Sequence, residues 1–117
     1  MSRAARSIFY FGWYLVVLGF LITVYPNAIL AIFRVPPTTE VWIRVLGIAT
    51  IVVGYFYIQS ARRNLEAFFR LTLHSRPFAF LTFSGLVLLG LAPGVLFLFA
   101  AVELLGAAWT WWALRGA

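Results

Sequence analysis

The sequence of 117 residues contains no cysteine and a single histidine, His74. Without cysteine the chain has no disulfides, no thiolate metal ligands and no thiol redox chemistry of its own. One histidine argues against a histidine-based metal or haem site within one chain, so no metal and no cofactor are predicted. The serines have no histidine–acid partners in the sequence, and we therefore predict no catalytic residue and disfavour an enzymatic role.

Charged residues are also scarce, at 10%, whereas 64% of residues are hydrophobic and the mean hydropathy is +1.00. A soluble domain of this size has too little interior to hide that much apolar surface, so the sequence predicts an integral membrane protein. The net charge of +6 results from nine arginines and three acids, and most of the arginines lie between long apolar runs. Anionic headgroups and membrane orientation explain this placement, and nucleic acid is not a predicted partner.

Four apolar runs have about the length needed to cross the hydrocarbon core. They cover about residues 8–25, 41–58, 77–92 and 95–114. The predicted fold is all-α: a four-transmembrane-helix bundle that forms a single domain over residues 1–117. Two further helices are predicted, a short one at the outer interface over 28–35 and an amphipathic inner loop helix over 59–75.

Turn-forming residues mark the predicted connections between these helices. Pro93 and Gly94 form a dipeptide typical of a tight turn, so the third and fourth spans are expected to be antiparallel neighbours. Thr38 or Thr39 is expected to cap the second span, with Glu40 at the positive end of the helix dipole.

The arginines predict the orientation of the chain. Seven of the nine fall on one predicted side of the membrane, and Arg34 and Arg44 fall toward the other. By the positive-inside rule the arginine-rich side is cytoplasmic, as are both termini. The residues expected to meet lipid headgroups on this side are Arg62, Arg63, Arg70, His74 and Arg76. Glu66 lies four residues from Arg62 and from Arg70, the spacing of helix-surface ion pairs.

Glycines recur at helical spacing inside the predicted spans. Gly12 and Gly19 lie seven residues apart in the first span, Gly47 and Gly54 share one face of the second, and Gly106 lies in the fourth. Because glycine lets another helix approach closely, these five positions are predicted helix contacts.

Three polar residues are predicted to lie within the membrane: Arg44, Glu103 and Thr110. An acid there is by default a functional-site hypothesis, so Glu103 is a candidate to bind a proton, a cation or the polar head of a ligand. The alternative is a structural role, in which Glu103 is neutral and hydrogen-bonded or is paired with Arg44. Arg44 has an alternative partner in Glu40, one turn earlier.

Several short segments resemble the DoxX-like group of small four-span bacterial membrane proteins. They are AILAIFRVPP at 28–37, Arg44-Val-Leu-Gly47 and the Glu103-Leu-Leu-Gly-Ala run. The resemblance implies a four-helix bundle in a bacterial inner membrane. It also implies, for some members of the wider group, a place in thiosulfate:quinone oxidoreductase or in other redox-associated complexes. It carries over no catalytic residue.

Three functions remain open from the sequence. The first is a non-catalytic module in the lipid bilayer: a partner subunit, an assembly factor or a binder of a lipid-like or quinone-like ligand, associated with another membrane protein or with further copies of itself. The second is a small proton-coupled transporter that uses Glu103. The third is a subunit of a quinone-linked membrane oxidoreductase. The scarcity of polar chemistry favours the first.

Overall fold

The computed structural model describes residues 1–115, and the regular structure over these residues is α-helical. It consists of α1 (Arg3–Val24), α2 (Pro26–Ile32), α3 (Trp42–Arg62), α4 (Glu66–Leu88) and α5 (Val95–Arg115). The residues fall into two compact units. We call them the α1–α3 unit (residues 9–59) and the α4–α5 unit (residues 1–8 and 60–115).

Three of the helices, α1, α3 and α5, are long enough and apolar enough to cross a membrane. Their surfaces carry large apolar side chains: Phe20, Trp42 and Leu105 are 53%, 71% and 69% exposed. Water is a poor solvent for such surfaces and lipid a good one. The all-helical prediction is confirmed over the described residues, and three helices, not clearly four, have the length and composition of membrane spans.

The largest difference from the prediction concerns α4. The predicted amphipathic helix over 59–75 and the predicted span over 77–92 share one helix, Glu66–Leu88, which runs through Pro77. Pro77 lacks the N–H that would bond to the Leu73 carbonyl, but α4 continues on both sides of this one missing bond. Since α3 ends at Arg62, the predicted pairing of Arg62 with Glu66 on one helix is wrong.

Three helices end in the same hydrogen-bond motif. The residues that follow α2, α3 and α4 in the left-handed conformation are Arg34, Asn64 and Gly90. In each case the N–H of this residue bonds three residues back, and the next N–H bonds five residues back, as in a Schellman motif. The motif at Gly90 ends α4 early, so the connection to α5 spans residues 89–94. The predicted tight turn at Pro93 and Gly94 is therefore wrong.

The start of α3 also differs from the prediction, because neither Thr38 nor Thr39 caps it. The helix begins at Trp42. The Thr38 hydroxyl accepts the N–H of Glu40 at 3.1 Å, and the Thr38 N–H donates to Asn27 Oδ1 at 2.9 Å. Thr38 thus organises the loop before the helix, and Glu40 lies outside the first helical turn.

The N-terminal end of α1 belongs to the α4–α5 unit and is buried there. Ser2 caps the helix by accepting the N–H of Ala5 at 3.0 Å, and its hydroxyl donates to Asn64 Oδ1 at 2.8 Å. Ala5 and Ile8 are completely buried. Because α4 and α5 pack against each other in the same unit, the first residues of the chain form part of this core.

Candidate functional site

The α4–α5 unit contains a buried arginine, Arg76, whose side chain is 1% exposed. Its Nη2 donates to Thr72 Oγ1 at 3.0 Å and to Thr110 Oγ1 at 2.8 Å. The prediction that Arg76 faces lipid headgroups is therefore wrong. The physical reason is that Thr72 lies one turn earlier on the same face of α4, and α5 brings a second hydroxyl to the same guanidinium. The other predicted headgroup residues are exposed: Arg62, Arg63, Arg70 and His74.

The hydroxyls around Arg76 have a defined hydrogen-bond direction. Thr72 donates its single hydroxyl proton to a carbonyl three residues back at 2.7 Å, and so it accepts from Arg76. Ser7 likewise donates to a carbonyl three residues back at 2.7 Å. In the 2.7 Å contact between Ser7 and Thr110, Thr110 is therefore the donor. Both threonine oxygens accept a hydrogen bond from Arg76, and each hydroxyl donates its own proton in a hydrogen bond to another acceptor.

Thr72 and Thr110 replace water at one nitrogen of the cation, Nη2. An arginine among apolar helices is costly unless polar groups solvate it. Ser7, Thr72 and Thr110 are themselves 0–2% exposed, and together they link the start of α1, α4 and α5. Because each hydroxyl proton is already used in a hydrogen bond, we interpret the cluster as structural: it holds α4 and α5 to the start of α1.

Glu103 lies in α5, half-buried, about two turns before Thr110. Arg76 lies within coulombic range of this carboxyl group. Two of the predicted intramembrane residues, Glu103 and Thr110, thus lie near Arg76 in the α4–α5 unit, although Arg76 is predicted from the sequence to lie at the surface. The predicted pair of Arg44 and Glu103 joins residues of the two different units and stays a prediction.

An apolar crease of about 300 Å³ lies between α4 and α5. Six residues line it: Leu73, Pro77, Leu104, Ala107, Ala108 and Trp111. Pro77 follows Arg76 in the chain and Leu104 follows Glu103, so the crease borders the polar cluster. A lining of aliphatic and aromatic groups suits a hydrocarbon chain or a flat apolar ring.

In the α1–α3 unit, Arg44 is exposed and its Nη1 donates to the Thr23 carbonyl at 2.7 Å. Within residues 1–115 it forms no ion pair with Glu40. The predicted spacing rule fails because Glu40 precedes the first turn of α3. By contrast, Glu66 and Arg70 both lie in α4 and form the predicted ion pair at 2.7 Å.

Four of the predicted packing glycines lie where α1 meets α3. A Cβ added at Gly19 would come within 2.6 Å of the Gly47 carbonyl oxygen, and one at Gly54 within 2.7 Å of the Gly12 carbonyl oxygen. These are contacts between backbones, which residues other than glycine would prevent. Gly106 lies half-buried in α5.

Over residues 1–115, no group of three histidine, aspartate or glutamate side chains is arranged to hold a metal ion. The chain matches no protein-family model, no curated protein and no solved structure. Sequence reasoning missed the Arg76 cluster although one signal was present, the spacing of four between Thr72 and Arg76. The sequence gives no signal that Ser7 and Thr110 are hydrogen-bonded beside Arg76.

Proposed function

We propose that the protein is a non-catalytic, four-span membrane module that holds one lipid-like molecule in the crease between α4 and α5. The observation that carries the proposal is the predominantly apolar lining of this crease, beside a polar cluster whose hydroxyl protons are already used. A site with apolar walls and no available nucleophile favours binding over reaction.

The fourth span in this proposal is α4. Its residues 71–88 cover about 27 Å at a rise of about 1.5 Å per residue, close to the thickness of the hydrocarbon core of about 30 Å. A judgement from composition alone disfavours α4 as a span, because it treats Arg76 as a charge that is exposed to lipid. The burial of Arg76 keeps its charge away from lipid, and two hydroxyls accept hydrogen bonds from its Nη2. The resemblance to DoxX-like proteins implies the same four-span plan.

Both termini lie in the cytoplasm in this proposal, on the inner side of a bacterial membrane. The positive-inside rule supports this orientation. Arg3 lies over the ring of Trp112 at 4.7 Å, and Arg115 over Trp111 at 4.8 Å. Such pairs of arginine and tryptophan suit the headgroup region of a membrane.

The absence of native cysteine makes this topology directly testable, because an introduced cysteine is a unique label. We expect a membrane-impermeant maleimide to label Leu91→Cys and Thr39→Cys in sealed cells, and to label Arg63→Cys only after the cells are opened. Labelling of Leu91→Cys and Arg63→Cys from the same side would contradict the fourth span.

Ligand binding is tested by native mass spectrometry of the protein extracted in mild detergent. We expect the wild type to carry one lipid-like adduct, whose mass distinguishes a phospholipid from a quinone. Ala108→Phe places a ring in the crease and should remove the adduct. Leu105→Phe adds the same ring to an exposed position of α5 that does not line the crease, and it should keep the adduct. A wild type without adduct, or an Ala108→Phe variant that retains it, would contradict the proposal.

A second candidate function is proton-coupled transport, which the position of half-buried Glu103 inside the candidate span α5 favours. In this case Glu103→Gln abolishes proton-coupled cation uptake into vesicles, whereas Glu66→Gln, at an exposed acid of α4, leaves it intact. Uptake by Glu103→Gln at the wild-type rate would exclude transport through this acid.

A further inference from the structure

The α1–α3 unit contains a second cleft, of about 270 Å³, with a different character. Its lining consists of Pro26, Asn27, Thr38, Thr39, Glu40, Ile43 and Arg44. It combines polar and apolar groups and carries one carboxylate and one guanidinium. Neither the proposed lipid-like ligand nor the crease between α4 and α5 accounts for it.

Hydrogen bonds within the unit shape this cleft. The side-chain oxygen of Asn27, next to the buried Pro26 at the start of α2, accepts the N–H of Thr38 at 2.9 Å. The Thr38 hydroxyl then accepts the N–H of Glu40 at 3.1 Å. The loop that bears Glu40 is thereby held against the first turn of α2. Since Asn27 uses its oxygen for the loop, its amide N–H₂ group supplies donors rather than acceptors to a ligand.

The two charges of the cleft are kept apart. Glu40 and Arg44 are four residues apart in sequence, yet within residues 1–115 they form no ion pair. Arg44 donates instead to the Thr23 carbonyl at 2.7 Å. The chain offers an internal comparison: Glu66 and Arg70, with the same residue types and spacing, do bridge at 2.7 Å. A cleft that separates an anion from a cation is complementary to a molecule that carries both charges.

We infer that this cleft binds an ethanolamine phosphate group, with its ammonium at Glu40 and its phosphate at Arg44. A guanidinium has five N–H donors and prefers phosphate, so the bond to Thr23 leaves donors for the ligand. A carboxylate with neighbouring hydroxyls suits a primary ammonium. Val41 and Trp42, beside the cleft, are 60% and 71% exposed, which suits a position at the membrane interface. The group has two sources, the headgroup of a phospholipid and free phosphoethanolamine.

The test measures binding to delipidated protein in detergent by calorimetry, with three probes. They are short-chain phosphatidylethanolamine, short-chain phosphatidylglycerol, which lacks the ammonium, and free phosphoethanolamine. We expect phosphatidylethanolamine to bind about tenfold more tightly than phosphatidylglycerol, since a hydrogen-bonded charge contributes about this factor. Binding of free phosphoethanolamine with similar affinity identifies the soluble source, and its failure to bind identifies the lipid. Equal affinity for the two lipids, or binding of no probe, overturns the inference.

Variants assign the two charges. The Glu40 carboxylate takes no part in the hydrogen bonds that shape the loop, so Glu40→Gln should fold normally. It should lower the affinity for phosphatidylethanolamine about tenfold and leave that for phosphatidylglycerol unchanged. Arg44→Gln should lower the affinity for both lipids. The control is the double variant Glu66→Gln/Arg70→Gln, which removes the bridged pair of α4 and should change neither affinity. A loss in the control as large as in Glu40→Gln overturns the inference.

Discussion

Replacing Gly47 by alanine should force α1 and α3 apart. The added Cβ would meet Thr23 Oγ1, and it would lie 2.7 Å from the Gly19 carbonyl oxygen and 2.8 Å from the Thr23 backbone nitrogen. Two of these three neighbours are backbone atoms, which no side-chain rotation can move. Ordinary van der Waals contact begins at 3.4 Å. The helices must therefore separate by roughly 0.7 Å, the difference between 3.4 Å and 2.7 Å.

The expected change in stability combines two opposing terms. Alanine favours a helix over glycine by about 1 kcal/mol. Overpacking a close contact costs about 1–3 kcal/mol, and a radial gap of about 0.5–1 Å forfeits a quarter to a half of the dispersion energy of the atoms that it separates. Because the separation opens the contact along the neighbouring Ile51 and Val16 as well, we expect the second term to dominate. The net prediction for Gly47→Ala is a loss of about 1–2 kcal/mol.

The double variant Gly19→Ala/Gly47→Ala sharpens the test, because the two glycines face each other. A Cβ at Gly19 would lie 2.6 Å from the Gly47 carbonyl oxygen, and a Cβ at Gly47 would lie 2.7 Å from the Gly19 carbonyl oxygen. The separation forced by one alanine makes room for the other. We therefore expect the double variant to lose less than the sum of the two single losses.

The assay is unfolding in mild detergent by increasing dodecyl sulfate, followed by circular dichroism. Gly85→Ala in α4 is the matched control: nothing lies within 4 Å of the added Cβ, and the variant should gain about 0.5–1 kcal/mol from helix propensity alone. If Gly47→Ala were as stable as Gly85→Ala, or if the double variant were strictly additive, the close approach of α1 and α3 would be refuted.

Three further predictions use the same unfolding assay. Thr110→Val removes an acceptor of Arg76 and the donor to Ser7, and should destabilise the protein by about 1–3 kcal/mol. The control is Thr82→Val, at an exposed threonine bonded only within α4, which should change stability by less than about 0.5 kcal/mol. Equal effects of the two variants would contradict the buried cluster. Gly90→Ala should cost about 1–2 kcal/mol because Gly90 has a φ of 76°, whereas Gly94→Ala, with open space around it, should be neutral; a neutral Gly90→Ala would argue against the Schellman end of α4. Glu66→Gln removes an exposed ion pair and should cost less than about 1 kcal/mol; a larger loss would indicate that Glu66 has a role beyond this pair.

The features that the sequence predicts well are those set by local periodicity. Helices with apolar faces, the glycines at intervals of seven and the pairing of Glu66 with Arg70 depend on residues within one or two turns of each other. Their positions follow from helix geometry alone. The ends of helices are harder to predict, because Arg34 and Asn64 adopt positive φ without being glycine. Pro77 is typical of the start of a helix, but it lies inside α4.

The Arg76 cluster could not be predicted from local pattern because its parts come from three places in the chain. Ser7, Thr72 and Thr110 are separated by 65 and 38 positions, and each alone resembles an ordinary polar residue in a helix. Arginine near the end of a predicted span usually reaches outward to headgroups. Here the hydroxyls of α4 and α5 bind it inward instead, and this choice depends on which helices pack together.

The burial of Arg76 also bears on how many spans the chain contains. A hydropathy criterion assigns each charge its full cost in lipid, but this guanidinium is 1% exposed, and two hydroxyls replace water at its Nη2. The same argument makes the cluster a condition for the fourth span: if Thr110→Val leaves Arg76 without its acceptor from α5, α4 should cross the membrane less readily. Labelling of Leu91→Cys in a Thr110→Val background should then shift from one side of the membrane toward both, because the energetic cost of inserting α4 depends on a residue 34 positions away.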